Sequence, residues 1–199
     1  MEIQLSDKYK IHIYKNMPYD KEQTIKEIYY NVEISKSTFE VQTKDEPGVQ
    51  SDIIIQTKNF RNIVDMVFGK LCETFNIDTN TPYHIKYWTY ISDNTNQYSG
   101  YHIHTFNEYI FQKNDYTWVF YIQIPENLIG DDGKILFQTE DNVEHKILPE
   151  NGDLFFFPTD LPHRPEINKN SEKPRIVLAG NFALLDFNKK IKKREKTLF

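Results

Sequence analysis

The second half of the chain carries the pattern that most restricts the fold. After Pro82, short apolar or alternating segments are separated by polar turn sequences such as Asp131-Asp132-Gly133 and Glu150-Asn151-Gly152. The predicted strands are Tyr83–Ser92, Gly100–Thr105, Tyr116–Ile124, Lys134–Thr139, Glu144–Leu148, Asp153–Phe157 and Arg175–Leu184. Many short strands at this spacing favour a sandwich, jelly roll or barrel.

The residues before position 80 have a different, helical periodicity. Two series place apolar residues at the spacing of one helix face, and the candidate caps Thr57 and Asn59 precede the second. The series are Ile25, Ile28, Tyr29 and Val32, then Phe60, Ile63, Val64, Val67 and Leu71. Short strands are predicted at Lys10–Tyr14 and Ile53–Ile55. We therefore predict one mainly β domain over 1–199, with an α/β support region (1–80), a β core (81–187) and a basic tail (188–199).

Composition narrows the class of protein. With 39% hydrophobic residues, including 14 Phe and 13 Tyr, the 199-residue chain can bury a sizeable core. A net charge of −5 argues against a general nucleic-acid binder. One cysteine, Cys72, excludes an internal disulfide framework, and MEIQLSDKYK lacks the apolar core of a signal peptide. We expect a soluble cytoplasmic protein without a membrane span.

Three of the six histidines form a candidate metal site. His102 and His104 lie two apart in a predicted strand, so their side chains project from one face. His163 follows a buried strand and a turn, and a jelly roll can bring it beside the first two. Neutral imidazoles bind iron, zinc, copper or nickel. The spacing favours a metal ion at His102, His104 and His163, while His12, His84 and His145 are interpreted as structural.

Arg175 is a candidate anion ligand. It opens the strongly apolar segment Arg175–Leu184, where a buried guanidinium requires a compensating anion. The planar guanidinium can bind a carboxylate with two parallel hydrogen bonds. A structural salt bridge is the alternative, and Lys173 is the second candidate for the anion.

Together these segments resemble the 2-oxoglutarate/Fe(II)-dependent oxygenases, specifically a small group common in phages and marine bacteria and related to prolyl hydroxylases. The resemblance runs from about Phe60 to Phe182 and rests on three blocks. They are Lys86-Tyr-Trp-Thr-Tyr-Ile with Tyr101-His-Ile-His, Val119-Phe-Tyr-Ile-Gln-Ile-Pro125, and Leu148–His163 followed by Arg175-Ile-Val-Leu-Ala-Gly-Asn181. The resemblance implies a double-stranded β-helix with the N-terminal helices on one face.

The resemblance also implies a cofactor, co-substrates and an activity. His163 matches the family's distal histidine, and the basic residue ten to twelve places further on binds 2-oxoglutarate, which we assign to Arg175. Most of the superfamily uses His-x-Asp or His-x-Glu, so His104 stands where a carboxylate is usual, with Glu108 as the nearest alternative. The implied enzyme is a dioxygenase that uses Fe(II), 2-oxoglutarate and O2, with ascorbate as an auxiliary reductant, and releases succinate and CO2.

Two further residues, Tyr87 and Asn181, are predicted to contact the co-substrate. Two other classes of protein remain open. Cupins carry His-x-His followed by Glu, which His102-Ile-His104-Thr-Phe-Asn-Glu108 also fits, and would need no 2-oxoglutarate. A non-catalytic β-sandwich would bind no metal. The sequence indicates neither the primary substrate, for which peptidyl proline is one candidate, nor the oligomeric state.

Overall fold

The structure is a computed structural model that describes residues 1–38, 49–52, 56–92, 100–104, 116–166 and 173–184. Its helices are α1 (Lys21–Thr38) and α2 (Lys58–Phe75). Its strands are β1 (Glu2–Gln4), β2 (Lys10–Tyr14), β3 (Val49–Asp52), β4 (Tyr83–Ser92), β5 (Tyr116–Gln123), β6 (Ile135–Gln138), β7 (Glu144–Ile147), β8 (Leu154–Pro158), β9 (His163–Pro165) and β10 (Arg175–Leu184).

The strands form two antiparallel sheets. The large sheet has the order β1-β2-β8-β5-β10-β4-β3, and the small sheet has the order β7-β6-β9. Neighbours in the large sheet are distant in sequence, as a jelly roll requires. The predicted fold, a double-stranded β-helix with two helices beside it, is confirmed.

Alternation along the strands divides the apolar residues into two cores. Val177 and Ala179 of β10 face an interior that the small sheet closes through Ile135 and Phe137. Ile176, Leu178 and Phe182 face the opposite way, against α1 and α2. We call the first space the interior and the second the helix side. Because the period of a strand is two, one sheet can pack on both sides.

Most strand predictions agree closely with the structure. The predicted bounds of β4 and β10 match the observed ones, and the side chain of Thr57 caps α2 by accepting a hydrogen bond from the Phe60 amide. The prediction of a regular strand over Gly100–Thr105 was wrong for its described part, because residues 100–104 form only an isolated β-bridge at His102. Ile53–Ile55 and the basic tail lie outside the described residues.

The first residues of the chain belong to the large sheet. β2 pairs with β8, and β3 pairs with β4, so segments from the predicted support region extend the sheet on both sides. Neither described helix is long and apolar enough to cross a lipid bilayer.

Candidate metal centre

The three histidines predicted to bind a metal converge at one end of the interior. One potential ligand atom from each of His102, His104 and His163 lies within 4.8 Å of the other two. The Nε2 atoms of His104 and His163 are 3.1 Å apart. Among the described residues, no carboxylate takes part in this cluster. Glu108, the alternative ligand, lies outside the described residues.

Backbone pairing positions the histidines. The amides of His102 and His163 each donate to the other residue's carbonyl at 3.0 Å, which fixes the segment 100–104 beside β9. The His104 amide donates to the carbonyl of Thr159 at 2.9 Å. Since alternate residues of an extended segment share a face, His102 and His104 both point toward His163.

A hydrogen bond selects the tautomer of His163. Its Nδ1 lies 2.9 Å from the carbonyl oxygen of Leu161, and a carbonyl can only accept, so the proton resides on Nδ1. The Nε2 atom of the neutral ring therefore presents a lone pair to the cluster. Outer hydrogen bonds of this kind orient metal-binding imidazoles in proteins.

Apolar surroundings keep two of the rings neutral. The ring of Phe157 lies 4.7 Å from that of His163, and the ring of Trp88 lies 5.3 Å from that of His104, measured between centroids. Burial, with a smaller contribution from the neighbouring His102, lowers the pKa of His104 to about 4. Burial also lowers the pKa of His163 well below its usual value, again with the neighbouring histidines contributing. Both imidazoles are therefore neutral at pH 7.

The donor set fits a divalent transition metal. Two imidazole nitrogens about 2.1 Å from one ion and at right angles to each other are about 3.0 Å apart. The observed 3.1 Å between His104 Nε2 and His163 Nε2 matches this geometry. Three imidazole donors suit iron and also zinc, copper and nickel.

Arg175, the predicted anion ligand, is buried in the same interior. It is 3% exposed, and within the described part of the chain its Nη1 donates a long hydrogen bond, 3.4 Å, to the carbonyl of Glu166. No salt bridge within the described part of the chain includes Arg175. The charge of the Glu166 carboxylate acts on this guanidinium, and no carboxylate among the described residues pairs with it directly. A buried guanidinium without a direct partner is costly, and anion binding by Arg175 stays a prediction. Lys173, the alternative, is instead 58% exposed and pairs with Glu126 at 2.8 Å.

Ser92 is a polar residue near Arg175 that the sequence reasoning missed. The two residues are direct partners in the antiparallel β4–β10 pair, so their side chains project from the same face. Ser92 is fully buried, and its Oγ has no hydrogen-bond partner among the described residues. Ser92 lies four residues after Trp88 in β4, so alternation places both side chains on the same face of the strand. That spacing could have identified Ser92 from the sequence.

Asn181 faces the interior, whereas Tyr87 does not. Asn181 is 6% exposed, and its Oδ1 accepts a hydrogen bond from the Thr117 hydroxyl at 2.8 Å. Tyr87 lies on the helix side of β4, against the apolar residues of α2. The alternation of β4 turns Tyr87 away from the side that carries Trp88, and its contact with the co-substrate stays a prediction. The aromatic residues on the interior side of this region include Trp88, Tyr90 and Tyr121.

The sequence matches no protein-family model, and it matches no curated protein. Comparison with solved structures is more informative. A Pseudomonas putida prolyl-4-hydroxylase superposes with a TM-score of 0.61 at 15% identity, over 88% of this chain and 93% of that chain. A Trichoplax adhaerens prolyl hydroxylase in complex with a hypoxia-inducible-factor peptide gives 0.56 at 15% identity, over 91% and 86%.

A viral collagen prolyl hydroxylase from Paramecium bursaria Chlorella virus-1, in a 2-oxoglutarate complex, gives a TM-score of 0.54 at 12% identity, over 88% of this chain and 96% of that chain. The finer resemblance to the phage and marine-bacterial group gains no support from these structures and stays a prediction. The shared architecture covers nearly the whole chain, so the chain has the double-stranded β-helix fold of the 2-oxoglutarate/Fe(II) oxygenases.

Proposed function

We propose that this protein is an Fe(II)- and 2-oxoglutarate-dependent dioxygenase. The observation that carries the proposal is the position of Arg175, which is buried in the same interior as the three clustered histidines and pairs directly with no carboxylate among the described residues. A metal cluster and an unpaired guanidinium in one enclosed space suit a ligand that chelates a metal at one end and carries a carboxylate at the other. 2-Oxoglutarate has this chemistry.

In this proposal, the histidines bind the metal. His102, His104 and His163 would hold Fe(II), and the Nδ1–H bond to Leu161 would keep His163 oriented. When bound, Fe(II) with 2-oxoglutarate and O2 supplies the oxidation that hydroxylates a C–H bond and releases succinate and CO2.

At the other end of the interior, Arg175 and the Ser92 hydroxyl would bind the distal carboxylate of 2-oxoglutarate. Their direct pairing across β4 and β10 supports this assignment. Asn181, whose oxygen accepts from Thr117, would present its amide nitrogen to the interior. Charge supports a dianionic ligand, because a divalent metal held by imidazole nitrogens, together with Arg175, leaves an excess of positive charge.

Peptidyl proline is our candidate for the primary substrate. Two of the similar structures are a collagen prolyl hydroxylase and a prolyl hydroxylase with a peptide fragment bound. At 12% and 15% identity these structures support the fold, and the substrate of this chain is a proposal that rests on analogy.

A second candidate function is a cupin-type metalloenzyme that uses no 2-oxoglutarate. The specific observation in its favour is the all-histidine donor set, since the described cluster contains no carboxylate. One assay separates the candidates. The purified protein is incubated with Fe(II), ascorbate, 2-oxoglutarate and O2, and succinate is measured.

We expect succinate release, slow without the primary substrate and absent in Arg175→Met, which should still bind metal. Metal binding without succinate would favour the cupin-type enzyme. If neither metal binding nor succinate is detected, the remaining interpretation is a non-catalytic β-sandwich protein.

A further inference from the structure

A group of charged and aromatic side chains covers the outer side of the segments that carry the histidines. Because residues alternate, Tyr101 and Arg164 lie on the opposite side from His102 and His163. The Arg164 guanidinium carbon is 5.2 Å from the centre of the Tyr101 ring. The Tyr101 hydroxyl donates to Glu144 Oε1 at 2.6 Å, and Arg164 Nη2 lies 3.6 Å from the same oxygen. These three residues connect the segment 100–104 to both β9 and β7.

This connection matters because the described backbone holds the segment 100–104 weakly. The segment makes one β-bridge at His102 and one further amide bond from His104 to Thr159. A regular strand would add hydrogen bonds on both sides of the bridge. The side chain of Tyr101, held between Glu144 and Arg164, supplies the additional restraint on the two histidines of this segment.

Arg164 also contacts the residue that touches Arg175. Its Nη1 lies 3.2 Å from a carboxylate oxygen of Glu166, and the carbonyl of Glu166 accepts the hydrogen bond from Arg175. The Glu166 amide donates to the carbonyl of Lys134 at 2.8 Å, which holds the end of β9 beside the start of β6. The Arg164 guanidinium therefore contacts both Tyr101, which adjoins His102, and Glu166, whose carbonyl contacts Arg175.

We propose that Arg164 is a positioning residue that fixes the relative placement of the metal ligands and of Arg175. It acts on His102 through Tyr101 and Glu144, and on Arg175 through Glu166. The inference rests on the proposed function, since it assumes that the histidines bind a metal. The Arg164 side chain is only 17% exposed, so solvent screens its ion pairs less than those of a fully exposed arginine.

The test compares Arg164→Met with the matched variant Lys146→Met. Lys146 of β7 and Arg164 of β9 are both paired with Leu136 of β6, from opposite edges of that strand, so their side chains share one face of the small sheet. The Nζ atom of Lys146 lies 3.9 Å from Glu144. Both variants remove one cation near Glu144, but only Arg164 contacts Tyr101 and Glu166. Binding of Co(II) is measured anaerobically by quenching of Trp fluorescence, because the Trp88 ring lies 5.3 Å from the His104 ring.

We expect the Co(II) dissociation constant to rise about tenfold in Arg164→Met and to stay within about twofold of wild type in Lys146→Met. The affinity of the Co(II)-loaded protein for 2-oxoglutarate, measured by calorimetry, should also fall in Arg164→Met. Tyr101→Phe keeps the ring and removes the bond to Glu144, so it should weaken Co(II) binding and leave 2-oxoglutarate affinity unchanged. The visible Co(II) absorption bands should shift in the Arg164 and Tyr101 variants.

The outcomes separate the two proposals. A wild-type protein that binds no Co(II) would overturn the proposed function and this inference with it. If wild type binds Co(II) and Arg164→Met binds it as tightly as Lys146→Met, only the positioning role is overturned. Should Arg164→Met fail to fold, Arg164→Lys replaces it, since lysine keeps the charge but loses the flat contact with Tyr101. Unchanged Co(II) and 2-oxoglutarate affinities in a folded Arg164→Lys protein would also overturn the inference.

Discussion

At the scale of single residues, the chemistry depends on buried polar groups whose hydrogen bonds leave one atom available. His163 donates from Nδ1 to Leu161 and turns Nε2 toward His104. Among the described residues, Arg175 donates one long hydrogen bond and the buried Ser92 hydroxyl has no partner. Such groups are destabilising unless a ligand forms the missing hydrogen bonds, so ligands are expected at these positions.

His163→Ala should abolish tight metal binding, because two imidazoles remain where three are needed to hold the ion. Co(II) affinity measured by calorimetry is expected to fall at least ~100-fold. Loss of an outer contact typically costs about 10- to 100-fold in affinity, and loss of a direct ligand should cost more. His145→Ala is the control, since His145 also lies in the small sheet but is not part of the cluster. Equal affinities of the two variants would contradict the assignment of His163 as a ligand.

The metal-free protein should lose stability as pH falls. The unfolded chain binds a proton at each histidine near pH 6.5, whereas burial lowers the folded-state pKa of His104 to about 4 and that of His163 well below 6.5. Between about pH 6.5 and 4 the unfolded state binds more protons, so the free energy of unfolding decreases on acidification.

Urea unfolding of the metal-free protein at pH 7.0, 5.5 and 4.5 measures this dependence. His104→Asn removes one of the titrating groups and should give a shallower slope of stability against pH. A variant slope equal to that of wild type would argue against a buried neutral His104.

At the scale of elements, β10 connects the interior to the helix side. Its even residues pack against α1 and α2, and its odd residues line the interior between Arg175 and Asn181. Its pairing with β4 puts Ser92 opposite Arg175, and its pairing with β5 puts Thr117 opposite Asn181. One strand thus sets the positions of both proposed co-substrate contacts.

Ser92→Ala tests the register argument. Removing the hydroxyl should weaken 2-oxoglutarate binding to the Co(II)-loaded protein by about fivefold, the order of one hydrogen bond, and should leave Co(II) affinity unchanged. Binding is measured by calorimetry. An unchanged 2-oxoglutarate affinity would mean that Ser92 is merely a buried polar residue. Arg175→Met, in which we expect no measurable 2-oxoglutarate binding, provides the lower limit.

Gly180→Ala should destabilise the sheet. An added Cβ would lie 2.6 Å from the Lys86 carbonyl oxygen and 2.9 Å from Cε2 of the Trp118 ring, and neither neighbour can move freely. We expect a loss of about 2 kcal/mol in the free energy of unfolding, as in other overpacked cores. Gly69→Ala in α2 is the control, because nothing lies within 4 Å of its added Cβ and alanine favours a helix. Urea denaturation should rank Gly69→Ala at or above wild type.

At the scale of the whole molecule, strands from the start of the chain complete the large sheet. Ile11 and Ile13 of β2 belong to the interior core, and β2 pairs with β8. The predicted β core, residues 81–187, therefore lacks residues that close its own interior.

A fragment that begins at Thr81 should fail to fold, because the edge of β8 and the interior would be exposed to water. Circular dichroism of the refolded fragment should lack a cooperative melting transition, in contrast to the full chain. Removal of residues 1–4 alone deletes only the edge strand β1, and this shorter deletion should melt cooperatively at a lower temperature. A cooperatively folding fragment would contradict the dependence of the core on β2.

The sequence by itself determined the local structure and the residue types of the site. Apolar or alternating segments predicted the bounds of β4 and β10. The spacing of His102, His104 and His163 indicated a metal, and the place of Arg175 at the start of an apolar segment indicated an anion. Only the tertiary structure decided which side chains meet. The face that Tyr87 presents and the pairing of Ser92 with Arg175 depend on which side of each strand becomes the interior. The helices pack on one side of the large sheet and the small sheet packs on the other, and this packing determines which side becomes the interior. These contacts join residues far apart in the chain.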